Sequence, residues 1–427
     1  MEISMPKEVK FLIDKIYEHG YEGFIVGGCV RDSILNVLPN DYDITTNAKP
    51  DDIMKIFKDY KIIDTGIKHG TVSVVLNDNI YEITTYRIES EYENNRRPKS
   101  VEFTTNIEKD LERRDFTINA IAYNTKIGLV DKFNGIEDIK HRIIKTVRNP
   151  DERFEEDGLR MVRAIRFSSK LGFDIDINTL NSIYKNAPII KNISIERIND
   201  EFNKTLISDN PKNIIFLYKT KIFKNLGIYC NLNGNEYKEL EKTLSVLNYC
   251  DKNLIDRLIM LEYINSNQIL KNIDKNKRYE YYCENIKKLS IINNLRYSNI
   301  ITNYFNEVME YMINDSEKTD KVTIKKYLSK IGYDKLSNIF NLKLIYNTFF
   351  NNEEKIKILN KCIENLNEIE NLKECYTIKD LDIDGKVLIN LGYKGKEIGD
   401  ILEFLLDNVI KKPSLNNKDI LINLLML

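Results

Sequence analysis

Two patterns of hydrophobic and polar positions divide the chain. Up to about residue 140, short runs of alternating and β-branched apolar residues stand between helical patterns, which predicts an α/β segment. The predicted strands are EGFIVGG, DYDITT, GTVSVVL, IYEITTY, SVEFTT and GLVDKF. The predicted helices are PKEVKFLIDKIYEHG, KPDDIMKIFKDY and NIEKDLERRD, the last of which leads into FTINAIAY.

A helical pattern dominates the rest of the chain. From about residue 150 onward, apolar residues recur at three- and four-residue spacing almost to the end. We therefore expect an α+β protein, with an N-terminal α/β head followed by an all-α remainder. In TIKKYLSKIG, Thr323 is the predicted helix N-cap and Gly332 the predicted stop.

The composition is that of an ordinary globular protein. The 427 residues allow about three domains at roughly 150 residues each, and 42% of them are hydrophobic. The 64 Lys and Arg residues nearly balance the 65 Asp and Glu residues, so any nucleic-acid contact must come from local patches. No apolar stretch approaches the roughly 18 residues of a membrane span, so we expect a cytoplasmic protein without a membrane partner. Six cysteines without a CxxC pair, and only three histidines, argue against a zinc site.

The segment FIVGGCVRDSILNVLPNDYDITTNA, residues 24–48, carries the first candidate chemistry. A predicted strand runs into Gly27 and Gly28, and a helix is predicted to begin near Cys29. Backbone N–H groups of such a turn face one spot, where they hold phosphate oxygens. Arg31, in the first helical turn, adds a fork of donors to the same phosphates.

Two carboxylates follow in the same segment. Asp41 and Asp43 flank one residue of a predicted strand, so both side chains would leave the same face of the sheet. Two adjacent carboxylates repel each other unless a cation lies between them, and Mg²⁺ prefers carboxylates together with substrate phosphates. Two such ions can clamp the attacking and leaving oxygens of a phosphoryl transfer. Glu82, on YEITTYR, is a candidate third carboxylate, with pairing to a neighbouring Arg as the alternative.

These motifs resemble the GG…DxD signature of the nucleotidyltransferase superfamily. Within it, the chain resembles the bacterial-type (class II) tRNA nucleotidyltransferases, or CCA-adding enzymes, and the related bacterial poly(A) polymerases. The resemblance continues in order through KHGTVSVV, YEITTYR, RRPKSVEFTT, DLERRDFTINAIAY, DKFNGIEDIKHRII, ERFEEDGLRMVRAIRFSSKLGF and SIERINDEF, and weakens after about residue 206. It implies a nucleotidyltransferase-fold head (1–140), a nucleotide-selecting helical neck (141–206), a helical body (207–320) and a tRNA-binding helical tail (321–427).

In EEDGLRMVRAIRF, four charged residues recur every three positions on a predicted helix: Asp157, Arg160, Arg163 and Arg166. Asp157 can accept from an exocyclic amino group, and Arg160 can donate to a ring nitrogen. Cytosine and adenine satisfy both, whereas uracil and guanine do not, so a protein pair can select C and A without a template. A salt-bridged surface helix is the alternative for this segment by itself.

The resemblance assigns further roles in the neck. It implies that Asp157 and Arg160 select the base with support from Glu156. It also places Arg163 and Arg166 on the nucleotide's phosphates or in the base pocket.

In the head, the resemblance places Arg114 of LERRDFTIN on the nucleotide and its motif on the ribose. There Asp115 or Asn119 would recognise a 2′-OH through a hydrogen bond. For Arg113 we expect simple surface solvation. Residues 87–100 (RIESEYENNRRPKS) predict an exposed hairpin loop, and in the resembling family a flexible loop here accompanies addition of the terminal A.

The function implied is template-independent addition of CCA to the tRNA 3′ acceptor end from CTP and ATP, with Mg²⁺ as cofactor and release of pyrophosphate. The alternatives are an enzyme that adds only the terminal A, a bacterial poly(A) polymerase and, more remotely, a non-catalytic RNA-binding protein. The chain has no strongly basic tail of the kind expected in a processive poly(A) polymerase. Its oligomeric state is not predicted.

Overall fold

The computed structural model describes residues 2–89, 92–93, 95, 97–98, 100–228, 234–314 and 317–425. The chain forms two compact units. Unit 1 runs to Glu241 and includes Asn294–Arg296, and unit 2 comprises the rest of the chain from Lys242 onward. The finer division into head, neck, body and tail stays a prediction.

Unit 1 is built on a seven-stranded sheet in the order β11-β10-β1-β2-β5-β4-β3. The strands are β1 (Gly23–Val26), β2 (Ile44–Thr46), β3 (Lys61–Ile63), β4 (Thr71–Leu76), β5 (Asn79–Thr85), β6 (Arg87–Glu89), β7 (Tyr92–Glu93), β8 (Arg97–Pro98), β9 (Val101–Phe103), β10 (Ala122–Asn124), β11 (Gly128–Val130), β12 (Ile143–Ile144) and β13 (Asp174–Ile175). Strands β1 and β2 are antiparallel, with Ile25 opposite Ile44, whereas β2 and β5 are parallel. The end of β1 therefore lies beside the start of β2, at one end of these two central strands.

Helices make up most of the remaining structure. They are α1 (Lys7–Glu18), α2 (Gly28–Ile34), α3 (Pro50–Ile56), α4 (Ile107–Glu112), α5 (Gly135–His141), α6 (Pro150–Glu156), α7 (Leu159–Leu171), α8 (Ile177–Asn186), α9 (Ile195–Leu206), α10 (Ile215–Lys219), α11 (Ile222–Asn225), α12 (Gly234–Leu244), α13 (Leu254–Leu270), α14 (Arg278–Tyr281), α15 (Ile291–Asn294), α16 (Asn299–Ile313), α17 (Lys321–Ile331), α18 (Tyr333–Phe349), α19 (Glu353–Asn371), α20 (Gly385–Asn390), α21 (Lys396–Lys411) and α22 (Lys418–Leu424). Among the described residues, none of these helices is long and apolar enough to cross a membrane.

The predicted α+β class is confirmed, and each of the six predicted strands overlaps an observed one. Two details differ from the predictions. The short parallel pair β12–β13 reaches into the part expected to be helical. Helix α17 is capped by Asp320, whose Oδ1 accepts the Thr323 N–H at 2.9 Å, so Thr323 lies inside the helix and is not its N-cap.

Buried apolar side chains form the core beneath the site. Phe24 and Val26 of β1 pack with Tyr86, Leu111 and Ala122 on one face of the sheet. Alternate residues of a strand point to the same face, so the side chains of residues 24 and 26 share this core. The chain then leaves the sheet at Gly27 and enters α2. The residues that follow β1 are thereby held on a rigid support.

A buried carboxyl group lies in the core of unit 2. Glu262 of α13 is 1% exposed, and its Oε2 accepts the backbone N–H of Ile291 at 3.3 Å. Burial disfavours the charged form and raises the pKa of Glu262 from 4.5 to about 7, although the Ile291 N–H opposes this shift. Glu262 is therefore protonated in the folded chain at pH values where it would ionise in the unfolded chain.

We predict that the free energy of unfolding of unit 2 falls as pH rises from about 4.5 to about 7, by about 3 kcal/mol from this group. The sign follows because the folded state holds one proton more than the unfolded state in that window. Glu262→Gln should remove this component, whereas Glu354→Gln, at an exposed position, should retain it. Urea unfolding midpoints at pH 5 and pH 8 measure the difference, and equal pH slopes for wild type and Glu262→Gln would contradict the prediction.

Candidate active site

A glycine turn connects the end of the central strand β1 to α2. Helix α2 begins at Gly28, one residue before the predicted start at Cys29, and Gly27 has a positive φ of 80°. A Cβ atom on Gly27 would stand 3.0 Å from Nη1 of Arg114, so glycine lets this guanidinium approach the turn. The Nε–H of Arg114 is buried and has no acceptor among the described residues. An unpaired donor beside the turn suits an anionic ligand.

Arg31 is 3% exposed and belongs to a chain of polar contacts. Its Nη1 donates to Oδ1 of Asn119 at 2.6 Å, and its Nη2 lies 2.6 Å from Oδ1 of Asp32. The Nδ2 of Asn119 in turn donates to Oδ1 of Asp115 at 3.2 Å. The structure therefore brings together three of the predicted nucleotide-binding residues.

Asp115 is the centre of a partly buried ion-pair network. Its Oδ2 accepts from Nε and Nη2 of Arg163 at 2.9 and 2.7 Å. Burial alone would raise the pKa of Asp115, but the charge and hydrogen bonds of Arg163 outweigh it and lower the pKa to about 2. Glu201 of α9 accepts from Nη1 of Arg163 at 3.2 Å and from Nε of Arg166. Direct contact of Arg163 and Arg166 with a nucleotide stays a prediction, because both are paired inside the protein.

Asp157 lies between two helices rather than on one. Helix α6 ends at Glu156 and α7 begins at Leu159, while Asp157 has extended backbone angles of −139° and 103°. The prediction that one helix carries Asp157 together with Arg160 is therefore wrong, since the Oδ1 of Asp157 accepts the Leu159 N–H at 3.1 Å and caps the new helix. The carboxylate of Asp157 also pairs with Arg197 of α9, at 2.9 Å between Oδ2 and Nη2.

Arg160 is 7% exposed and is held from three sides. Its Nη1 donates to Oε2 of Glu156 at 2.6 Å and to the carbonyl oxygen of Arg153 at 3.3 Å. Its Nη2 donates to the carbonyl oxygen of Arg113 at 3.3 Å. The other oxygen of Glu156 accepts from Nη2 of Arg153 at 2.6 Å. Glu156 thus holds two guanidinium groups in place, one of them that of Arg160.

Arg113 is not simply solvated, as the sequence had suggested. Its side chain is 16% exposed and lies 2.8 Å from the carboxylate of Asp110, which is fully buried. Arg114 approaches the other oxygen of Asp110 at 3.4 Å. Burial opposes ionisation, but Arg113 and Arg114 together hold the pKa of Asp110 below its ordinary value. A buried carboxylate needs such partners, and this explains why Arg113 turns inward.

Asp41 and Asp43 precede β2 instead of lying on it, because regular pairing begins at Ile44. The expectation of a shared strand face is wrong in this respect. One further hydrogen bond extends the ladder, since the carbonyl oxygen of Asp43 accepts the Val26 N–H at 3.0 Å. Both aspartates are at exposed positions beside the glycine turn.

The surroundings of Asp43 are rich in negative charge. In the parallel pair β2–β5, Ile44 is opposite Ile83, so Glu82 lies next to Asp43 in the register. Desolvation raises the pKa of Asp43, Arg114 opposes the rise, and the charges of Asp41 and Glu82 add to it. Within the described ranges, no three His, Cys, Asp or Glu side chains form a ready-made metal site. The carboxylates of Asp41 and Asp43, together with phosphate oxygens of a substrate, are nevertheless the kind of ligands that Mg²⁺ prefers.

The predicted hairpin loop contacts the segment that contains Asp157. Strands β6 and β9 pair, as do β7 and β8, while residues 90, 91, 94, 96 and 99 of the predicted loop lie outside the described residues. Asn95 accepts the Gly158 N–H through its carbonyl oxygen at 3.1 Å and donates through Nδ2 to the carbonyl oxygen of Glu155. Its Oδ1 accepts from Nδ2 of Asn192 at 2.9 Å.

Two exposed carboxylates at the ends of two central strands, beside a glycine turn and a group of arginines, are the arrangement expected of a nucleotidyltransferase. Comparison with known proteins agrees. Residues 23–145 match the family described as Poly A polymerase head domain, and residues 172–227 match the probable RNA and SrmB-binding site of polymerase A.

A CCA-adding enzyme of Ligilactobacillus salivarius is 35% identical over 431 residues, which cover 98% of this chain and 96% of that protein. One from Limosilactobacillus reuteri is 50% identical over 200 residues, 47% of this chain and 49% of that protein. The crystal structure of the Bacillus stearothermophilus CCA-adding enzyme in complex with CTP matches with a TM-score of 0.71 and 28% identity, covering 97% of this chain and 96% of that one. The chain belongs to the family of CCA-adding enzymes.

Three residues of the network were missed from the sequence: Asp110, Arg197 and Glu201. The spacing of Asp110 from Arg113 and Arg114 was a usable signal, since residues three and four apart on a helix are neighbours. For Arg197 and Glu201 the only signal was their place in SIERINDEF, because their partners are 40 and 35–38 residues away.

We predict that Glu201→Gln lowers the free energy of unfolding by about 2 kcal/mol, because it removes a buried negative charge from the partly buried guanidinium groups of Arg163 and Arg166. The matched control is Asp200→Asn on the same helix. Asp200 is 61% exposed and pairs with Lys204 one turn away, so loss of its charge should cost less than about 0.5 kcal/mol. Urea unfolding of both variants checks this, and equal losses would contradict it.

Proposed function

We propose that this chain adds CCA to the 3′ end of tRNA from CTP and ATP, without a nucleic-acid template and with release of pyrophosphate. The observation that carries the proposal is the match to a CCA-adding enzyme over 98% of the chain, with the site residues described above in place. We further propose that the reaction takes place in the cytoplasm and that the neck, residues 141–206, selects the nucleotide. The match to the Poly A polymerase head domain makes a poly(A) polymerase the second candidate.

Asp41 and Asp43 are proposed to hold Mg²⁺, with Glu82 as a candidate third carboxylate. The crowding of negative charge around Asp43 fits a cation at this position. Bound divalent metal would make the RNA 3′-OH more nucleophilic and offset negative charge on the leaving pyrophosphate. Arg114, beside Gly27, offers its unpaired Nε–H to the triphosphate.

Further phosphate contacts are assigned to Gly28 and Arg31. The backbone of Gly28 opens α2 beside the turn, and Arg31 lies in the first turn of that helix. Arg31 is anchored on Asp32 and Asn119, so its guanidinium loses little freedom when a nucleotide binds.

Base choice is assigned to Asp157 and Arg160. The carboxylate of Asp157 already accepts from Arg197 and from the Leu159 N–H, but its two oxygens have about four lone pairs and can accept an amino group as well. Glu156 offsets the charge of Arg160 and fixes its direction, so that it can donate to N3 of cytosine or N1 of adenine.

Recognition of the ribose is assigned to Asn119 rather than Asp115. Asp115 accepts four hydrogen bonds, from Phe116, Asn119 and twice from Arg163, which uses its full capacity. Asn119 has one N–H and one lone pair left after its bonds to Arg31 and Asp115. The role proposed for Arg163 and Arg166 is to hold Asp115 and Glu201, and thereby Asn119, in position.

Sequencing of RNA 3′ ends tests the proposal. Purified protein and Mg²⁺ are incubated with tRNA that ends before CCA, or in CC, together with CTP, ATP or both. Completion of CCA on the truncated tRNA is expected. Addition of a single A to CC-ended tRNA alone would indicate an A-adding enzyme, long A tails a poly(A) polymerase, and no addition a binding protein.

Asp41→Ala is expected to lower kcat by at least about 10³-fold without changing the urea unfolding midpoint, because it removes a proposed metal ligand at an exposed position. Asp51→Ala, at an exposed position on α3, is the control and should retain activity. Metal-dependent incorporation at the wild-type rate in Asp41→Ala would refute the metal assignment.

Arg160→Ala should reduce the preference for CTP and ATP over UTP and GTP by roughly 10- to 100-fold, the value of one or two good hydrogen bonds. The affinity for tRNA should change far less. Lys170→Ala, at an exposed position on the same helix, is the matched control. Competition between the four nucleotides gives the ratio, and unchanged selectivity with weakened tRNA binding would be the opposite result.

A further inference from the structure

Two apolar side chains are exposed immediately before the catalytic carboxylates. Val37 is 55% exposed and Leu38 is 86% exposed, the highest value for a large apolar side chain among the described residues. Single exposed apolar residues are common, but two in succession beside a reactive site are an unpartnered surface.

The loop that carries this pair is anchored. The Val37 N–H donates to the carbonyl oxygen of Asp32 at 2.8 Å, and the Asn36 N–H donates to that of Ser33 at 3.0 Å. Asn36 adopts a left-handed φ of 58°, which asparagine tolerates better than most residues. The carboxylate of Asp32 is itself bound by Arg31. The backbone therefore presents Val37 and Leu38 in a defined place.

The distance to the reaction centre is limited by the chain itself. Leu38 precedes Asp41 by three residues, so their Cα atoms are at most about 11 Å apart. If the RNA 3′-OH is brought to Asp41 and Asp43, as the proposed function requires, the base of the same nucleotide comes within reach of Leu38.

We infer that Leu38, supported by Val37, contacts the base of the RNA's 3′-terminal nucleotide and positions its 3′-OH. This inference rests on the proposed function. The terminal base changes after every addition, so its binding surface must tolerate different bases. An apolar side chain packs against the face of any base, whereas a hydrogen-bonding side chain would discriminate among them. The base of the incoming nucleotide, in contrast, must be selected, and its recognition is therefore assigned to the hydrogen-bonding side chains of Asp157 and Arg160.

The first test compares Leu38→Ser with Ile127→Ser. Ile127 is 56% exposed and follows the last residue of β10. The first residue of β10, Ala122, pairs with Val26 beside the glycine turn, so Ile127 lies at the end of the strand away from the proposed site. Leu38→Ser should raise KM for truncated tRNA about tenfold, as expected for loss of one apolar contact, with KM for CTP unchanged. Ile127→Ser should leave both values unchanged.

The second test removes the base instead of the side chain. A tRNA whose 3′-terminal nucleotide is abasic, but retains its ribose and 3′-OH, should show a similarly raised KM with the wild-type protein. Leu38→Ser should add little to that loss if the two groups contact each other. If the two increases in KM for tRNA, from Leu38→Ser and from the abasic nucleotide, multiply when they are combined, then Leu38 binds something other than this base. That result would overturn the inference.

Two other outcomes also decide the matter. If the wild type adds nucleotides normally and Leu38→Ser has an unchanged KM for tRNA, this inference alone is overturned. If Leu38→Ser in that case also changes the oligomeric state of the protein, the surface is assigned to self-association. Failure of the wild type to extend any tRNA would overturn the proposed function and this inference with it.

Discussion

The ion pair between Asp115 and Arg163 is the interaction on which the site depends. Asp115 follows α4, Arg163 belongs to α7, and Glu201 of α9 accepts from Nη1 of the same guanidinium. From Asp115 the hydrogen bonds continue through Asn119 to Arg31 on α2. Segments distant in sequence thus converge because buried charges must be paired, and the cost of burying them is recovered only when all partners are present.

The carboxylates of unit 1 separate into two groups by their surroundings. Asp110 and Asp115 are buried with arginine partners, and their pKa values are lowered. Desolvation raises the pKa of Asp43, Arg114 opposes the rise, and the charges of Asp41 and Glu82 add to it. The first group holds the protein together. The second has an excess of negative charge that a cation would relieve, and this is the physical distinction between a structural carboxylate and a proposed metal ligand.

Base choice by a protein requires side chains that do not move when the base arrives. Asp157 is fixed by Arg197 and by its capping bond to the start of α7, and Arg160 is fixed by Glu156. Asn95 of the predicted loop region binds the backbone on both sides of Asp157, at Glu155 and Gly158. In the proposed function, such a rigid pair would discriminate by leaving a wrong base with unmatched donors or acceptors, which costs more than a weak contact gains.

The sequence by itself determined the fold class, the approximate positions of the six predicted strands, the glycine turn and the closeness of Asp41 and Asp43 to it, because these depend on local periodicity and on residues close together in the chain. The partners Arg197 and Glu201, the inward turn of Arg113 and the helix break at Asp157 were decided only by the tertiary structure. The bond between Arg31 and Asn119 joins residues 88 positions apart, and that between Arg163 and Asp115 joins residues 48 apart. No local pattern predicts which of the many charged residues will be buried, and burial is what forces each of them to find its partner.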